Sequence, residues 1–279
     1  FKLIVDKPGK SLVLIDITAI PGVNSRITLR DESGRSFWDV NETSENAPES
    51  IFNLALAQGT YYVQLYARES NYNNHYVLHT RILGPWQEGL EAEPNNRKED
   101  ATELKLGQSM EGYFQDDGDE DYYKLIVDKP GKSDIQVDLS AVPGVDTQFR
   151  IHDKDGNELW RASDGSKGEP ESVRYLTLGE GAYSMWVKGY QKNITDKYTL
   201  STRLLGPWQE GTEAEPNGGI KRANEIKLNA PLTGRINENN DYDYYVLNVP
   251  EPGIETIVMQ ISDVPEVRWN FELFDQKEN

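Results

Sequence analysis

The sequence predicts an all-β protein, a tandem array of antiparallel, jelly-roll-like β-sandwich domains with about eight strands in each. Three observations carry that prediction: an internal repeat held at one offset, period-two alternation of apolar residues, and turn-forming clusters spaced roughly 8–12 residues apart.

The repeat sets the organisation. KLIVDKPGKS stands at residues 2–11 and again at 124–133; LGPWQEG stands at 83–89 and 205–211; EAEPN stands at 91–95 and 213–217. Each pair is 122 positions apart, and on the same offset Asp121-Tyr122-Tyr123 returns as Asp243-Tyr244-Tyr245. Residues 1–86 therefore read as a copy lacking its start, 87–208 as a complete copy, and 209–279 as a copy lacking its end. Phe1 aligns with Tyr123 in the middle of an expected strand, and Asn279 aligns with Asn157 in an expected hairpin turn. Domain boundaries fall in linkers, so an excerpt of a longer array is the expectation.

The strands follow in order. Val13, Ile15 and Ile17 alternate with polar neighbours, as do Ile135, Val137 and Leu139, then Ile257, Met259 and Ile261. That is the period of a strand with one buried face. The pairs Ile27/Leu29, Phe149/Ile151 and Phe271/Leu273 continue the pattern in the next strand. The three residues Val13, Ile135 and Ile257 are expected to share one environment. Turns are expected at 129–131 (Lys-Pro-Gly), 142–144 (Val-Pro-Gly), 153–157 (Asp-Lys-Asp-Gly-Asn) and 179–181 (Gly-Glu-Gly). Helical periodicity is absent apart from a short candidate turn around 101–106. The linker at 84–96 is short and rich in Pro and Trp, which predicts a semi-rigid array with Trp86 and Trp208 packed on a neighbouring domain.

Composition narrows function. The net charge is −18, from 47 acidic and 29 basic residues, which disfavours nucleic acid and anionic membrane surfaces and attracts cations. With 0 cysteines, disulfides, thiolate metal sites and a cysteine nucleophile are excluded. That usage, with no apolar run of membrane-spanning length, points to an extracellular or cell-surface location.

Four marks carry a family resemblance: Glu91-Ala92-Glu93-Pro94-Asn95; Gly112 with the acidic turn and Asp119–Tyr123; the Asp153–Gly156 hairpin; and Gly181-Ala182-Tyr183, echoed by Gly59-Thr60-Tyr61. Together they resemble the bacterial pre-peptidase C-terminal domain, which is related to the collagen-binding domain of clostridial collagenases. The resemblance implies a jelly-roll-like sandwich, secretion, and a non-catalytic role beside peptidases or within surface proteins.

Calcium is the sharpest chemical candidate. A hard cation takes six to eight oxygens, mostly carboxylate with some carbonyl. Pro94 biases Glu93 toward extended backbone, so Glu91 and Glu93 project to one side and Asn95 adds an oxygen. Asp119 and Asp121 come from the turn and strand start after Gly112. The third copy repeats the set as Glu213, Glu215, Asn217, Asp241 and Asp243. The resemblance implies calcium at such a motif, but the following aspartate ligand of the relatives is Asn96 here and Gly218 in the third copy. Residues 153–157 look like the start of an EF-hand, yet Gly156 is fourth where that loop needs its glycine sixth, so a hairpin is expected.

Exposed aromatics are the second candidate. Tyr61, Tyr76, Tyr183 and Tyr198 recur at fixed positions and are expected in the core, which leaves Tyr66, Tyr72 and Tyr190 free to bind a ligand. Catalysis is not supported. His75, His79 and His152 do not recur between copies, and no nucleophile elbow, zinc helix or phosphate loop is present. Two sequons, at 41–43 and 193–195, are weak glycosylation signals. The expected function is a non-catalytic structural or adhesive segment whose partners are neighbouring copies of the same repeat, through self-assembly into a fibre or surface layer. The alternative is an accessory region of a secreted peptidase that binds collagen, another fibrous protein or a polysaccharide.

Overall fold

A computed structural model describes residues 1–41, 45–237, 241–249, 256–262 and 264–274. The sequon residues Glu42 and Thr43, and Asn279, lie outside them. The first copy holds β1 (Lys2–Ile17), β2 (Ser25–Arg30), β3 (Ser36–Val40), β4 (Glu49–Ala67) and β5 (Leu78–Pro85). The second holds β6 (Thr102–Lys105), β7 (Ser109–Phe114), β8 (Glu120–Leu139), β9 (Thr147–His152), β10 (Glu158–Ala162), β11 (Glu171–Gly189) and β12 (Asn193–Pro207). In the third, β13 (Asn224–Ile226) pairs in parallel with β14 (Tyr245–Leu247).

The second copy is an all-β sandwich. Its two layers share β8 and β11, which are long enough to run through both. In one layer the first half of β8 pairs with the end of β11 and with β6, and β9 and β10 extend it. In the other, the second half of β8 pairs with the start of β11 and with β12, and β7 closes the edge. The strand count is therefore seven rather than eight, because two strands each serve twice. The Lys-Pro-Gly turn expected at 129–131 is a bend within β8: pairing with β11 shifts register there and resumes on the other layer. Gly131 takes φ of 80°, a left-handed value that favours glycine at this corner. The helical turn expected at 101–106 is strand β6, with a single 3-10 turn just before it at Lys98–Asp100.

Alternation places the core as the sequence predicts. Ile135, Val137, Leu139, Phe149 and Ile151 are fully buried, and Val13, Ile15, Ile17, Ile27 and Leu29 fill the same positions in the first copy. Ile257 departs from this set. It is 37% exposed against 1% for Val13, and Phe271 and Leu273 are 58% and 74% exposed. In the second copy the strand that holds Ile135 is flanked by β11 and β12. Tyr76 also departs, at 42% exposed where Tyr198 is fully buried.

Both junctions between copies use the same bonds. The Ala55 N–H donates to Glu93 O (3.0 Å) and the Thr177 N–H to Glu215 O (2.8 Å), so the segment that opens each copy adds to the sheet of the copy before it. Trp86 N–H donates to Lys10 O and Trp208 N–H to Lys132 O, both at 3.0 Å. The Trp86 indole reaches forward to Leu90 O and Glu91 O, and that of Trp208 to Glu213 O. Lys10 and Lys132 lie over the two rings, 5.5 and 5.1 Å from the centroids. Among the described residues no helix is long and apolar enough to cross a membrane.

Candidate metal centre

Residues 91–95 form a strap pinned along its backbone. Glu91 N–H donates to Glu111 O, Glu93 O accepts from the preceding copy, and Asn95 O accepts from Tyr122 N–H. Pinned in this way, the strap turns Glu91, Glu93 and Asn95 inward, where all three are fully buried. Asp119 and Asp121, at the start of β8, meet them and are buried as well.

Three of these carboxylates converge. Oxygens of Glu93, Asp119 and Asp121 lie within 4.8 Å of one another, a spacing that could hold a metal ion. Glu91 is not in that group: its oxygens accept from Tyr113 N–H (2.7 Å), Tyr198 Oη (2.8 Å) and Tyr123 Oη (3.3 Å). The same Tyr198 hydroxyl, which has one proton to share, lies 2.7 Å from Asp121 Oδ2, and Asp121 Oδ1 is without a partner. Both side-chain atoms of Asn95 are likewise buried and unpartnered.

Two further residues bond to the cluster through their amide nitrogens. Gln115 donates its Nε2 to Glu93 Oε1 (3.1 Å), and Asn96 donates its Nδ2 to Asp119 Oδ1 (3.2 Å). Each leaves its own carbonyl oxygen buried and unpartnered. Gln115 was missed in the sequence, although Asn237, another carboxamide, stands at the same offset and donates to Glu215 Oε1. Asn96, which departs from the relatives' aspartate, supplies an oxygen of the same kind without the charge.

The third copy builds a looser version. Glu213, Glu215 and Asp243 converge; Asp241, outside that group, accepts from Asn237 N–H at 2.7 Å as Asp119 accepts from Gln115 N–H at 2.6 Å. Asn217 is fully buried with both side-chain atoms unpartnered, as is Asp243 Oδ1. Gly112 makes room at the second-copy site: a Cβ there would strike Glu91 Oε2 and the Tyr198 ring. Gly234 holds the same place beside Glu213.

Electrostatically these sites are unsatisfied. Burial, ahead of any neighbouring charge, pushes the Glu91 carboxyl up to about 8 and that of Asp119 up to about 7. Glu93 and Asp121 rise well above the usual carboxylate range, burial first and the other carboxylates second. In the third copy burial lifts Glu213 and Glu215 to about 7 and Asp243 to about 6. No lysine or arginine pairs with any of these groups among the described residues. Acidic groups held dry beside one another, with oxygens left over, suit a cation.

The other candidate residues lie apart. Tyr72 is 92% exposed and Tyr66 58%, both on the first copy; Tyr190, on the second, is 45% exposed with Lys188 Nζ 5.3 Å from its ring centroid. His79 contacts Asp16, and His152 stands near Glu158. The 153–157 segment is the β9–β10 hairpin, with Gly156 N–H on Asp153 O. Asn193 spends its side chain on Pro143 O, Asp196 and the Thr195 N–H.

Comparison with known proteins gives weak likenesses of structure. The pre-peptidase C-terminal domain of a collagenase from Bacillus anthracis is 19% identical; the match covers 39% of this chain and 100% of that one, at a TM-score of 0.30. The PBSX exported protein XepA is 12% identical over 73% of this chain and 81% of its own, at a TM-score of 0.25. A fucolectin from striped bass serum is 9% identical over 73% and 80%, at 0.21. No family model and no curated protein matches the chain.

Proposed function

We propose that this chain is a non-catalytic structural segment of a secreted or cell-surface protein, a semi-rigid string of β-sandwich repeats braced by calcium. One observation carries the proposal: Glu93, Asp119 and Asp121 are buried together with no basic partner, beside unpartnered oxygens of Asn95, Asn96 and Gln115. The donors are all hard oxygens, and no histidine or cysteine offers the soft or nitrogen ligands that zinc prefers. An all-protein cage of carboxylates and amides suits calcium better than magnesium, which keeps its waters. Bound there, the ion would tie the strap at 91–95 to the start of β8. Repetition supports the structural role, because each repeat adds length and a further neighbour contact.

The test is calorimetric. Titrating millimolar calcium into the chelated chain is expected to release heat and raise the melting temperature. At a hundredfold excess over the dissociation constant the gain is about 2.7 kcal/mol. Asp121→Asn should abolish most of the gain. Absence of both heat and shift would sink the proposal.

The exposure of Tyr66, Tyr72 and Tyr190 supports a second reading, an accessory region that binds a fibrous protein or polysaccharide. On this reading the chain is retained on insoluble collagen or a polysaccharide, and Tyr190→Ala loses that retention. Flow-through on every matrix leaves the structural reading alone.

A further inference from the structure

Three neutral carboxamides stand around the acidic cluster of the second copy. Asn95 is fully buried and Gln115 is 7% exposed. Gln115 is tied in twice: its backbone N–H donates to Asp119 Oδ2 at 2.6 Å, and its Nε2 donates to Glu93 Oε1 at 3.1 Å. Asn96 Nδ2 donates to Asp119 Oδ1 at 3.2 Å. Gln115 and Asn96 thus turn nitrogen toward the converging carboxylates, and each leaves a buried carbonyl oxygen without a partner. A buried acceptor with no donor is costly, and an amide that strands its oxygen has a second orientation open to it.

The arrangement recurs. In the third copy Asn237, at the place of Gln115, makes the same two bonds: its N–H to Asp241 Oδ2 at 2.7 Å and its Nδ2 to Glu215 Oε1 at 3.0 Å. Glutamine and asparagine differ by one methylene, so what repeats is the carboxamide and its bonds. Glu93, Asp119 and Asp121 bring one oxygen each to within 4.8 Å of one another, short of the six to eight that calcium takes. The stranded carbonyl oxygens of Asn96 and Gln115 are of the kind that would make up the shortfall.

We infer that Gln115 and Asn96 are calcium ligands of the second copy, their amides turning over so that the carbonyl replaces the N–H at the cluster. This rests on the reading of the cluster as a calcium site. Turning an amide over needs only rotation about its last side-chain bond, a torsion with broad, roughly two-fold wells. The backbone of Gln115 stays pinned to Asp119 meanwhile. Charge sets the direction. Beside carboxylates alone the N–H is the favourable face; beside a divalent cation the carbonyl is, since the amide dipole must then point the other way. The same residues therefore serve twice, as donors to Glu93 and Asp119 or as oxygens on the ion. Gly218 stands at the place of Asn96 in the third copy, so that copy keeps only the Asn237 half of the device.

A crystal structure of the full chain grown in calcium is expected to show Gln115 Oε1 and Asn96 Oδ1 on the ion at about 2.3–2.6 Å, with both bonds from amide nitrogen to carboxylate gone. Calorimetry adds a sign. Gln115→Glu keeps an oxygen at the site but cannot donate, so it should bind calcium at least as tightly as wild type. Gln115→Met offers neither and should weaken the binding event that Asp121→Asn removes, by about tenfold or more. An amide that served only to hold Glu93 in place would make both variants bind more weakly. Melting with chelator reports that each variant is folded, and the wild-type crystal depends on neither. Two results would overturn the inference: amide nitrogens still on Glu93 and Asp119 in the calcium-loaded crystal, or Gln115→Glu binding as weakly as Gln115→Met. If wild type gives calcium heat and its amides do not turn, only this inference fails. If it gives no heat and holds no ion, the metal centre itself falls and the inference with it.

Discussion

At the scale of residues, the chemistry lies in carboxylates that burial keeps from ionising. In the chelated protein Glu91, Glu93, Asp119 and Asp121 all hold protons to a higher pH than they would unfolded, where carboxyls titrate near 4. The folded state then binds more protons than the unfolded state above about pH 4, so stability falls as pH rises. The contribution is whole below that pH and is lost progressively as pH rises, through about 7 for Asp119 and about 8 for Glu91. Thermal melting with chelator should therefore decline from pH 5 to pH 8, and saturating calcium should flatten the decline. A melting temperature that rises over this range without calcium would show that the carboxylates are not held as described. The candidate ligands Glu93, Asp119 and Asp121 were legible in the sequence because acidic residues two apart on extended backbone face one way. That Glu91 turns to Tyr198, a residue 107 positions away, was not.

At the scale of elements, the straps do the joining. Residues 91–95 carry candidate ligands of one copy on their side chains and a hydrogen bond to the preceding copy on their backbone, and 213–217 repeat the arrangement. Trp86 fastens the strap to β1 through its amide and to Leu90 and Glu91 through its indole. Trp86→Ala removes the indole bonds and the contact with Lys10, a loss of about 1–3 kcal/mol at the junction. Small-angle scattering should show a wider spread of angles between the first two copies while far-ultraviolet dichroism stays unchanged; an identical scattering profile would place the stiffness elsewhere. The linker's composition pointed to a braced junction, and the Trp86 bonds are its bracing contacts. The Lys-Pro-Gly corner was also visible, but turn residues alone do not tell whether a strand ends or bends. Here it bends, because β11 pairs on both sides of it.

At the scale of the whole molecule, calcium binding should show unequal sites. Two clusters can hold an ion among the described residues, and that of the second copy is more deeply buried and has an Asn96 amide where the third copy has Gly218. The calcium titration proposed above should thus resolve a tighter and a weaker event. The sequence by itself determined the repeat, its offset, the strand periodicity and the acidic strap, since each is written in neighbouring residues. Tertiary structure alone decided which carboxylates meet, which glycine makes room for a tyrosine, and which apolar residues stay uncovered. Ile257 carries the same local pattern as Ile135 yet is 37% exposed where Ile135 is fully buried against β11, and burial depends on partners distant in the chain.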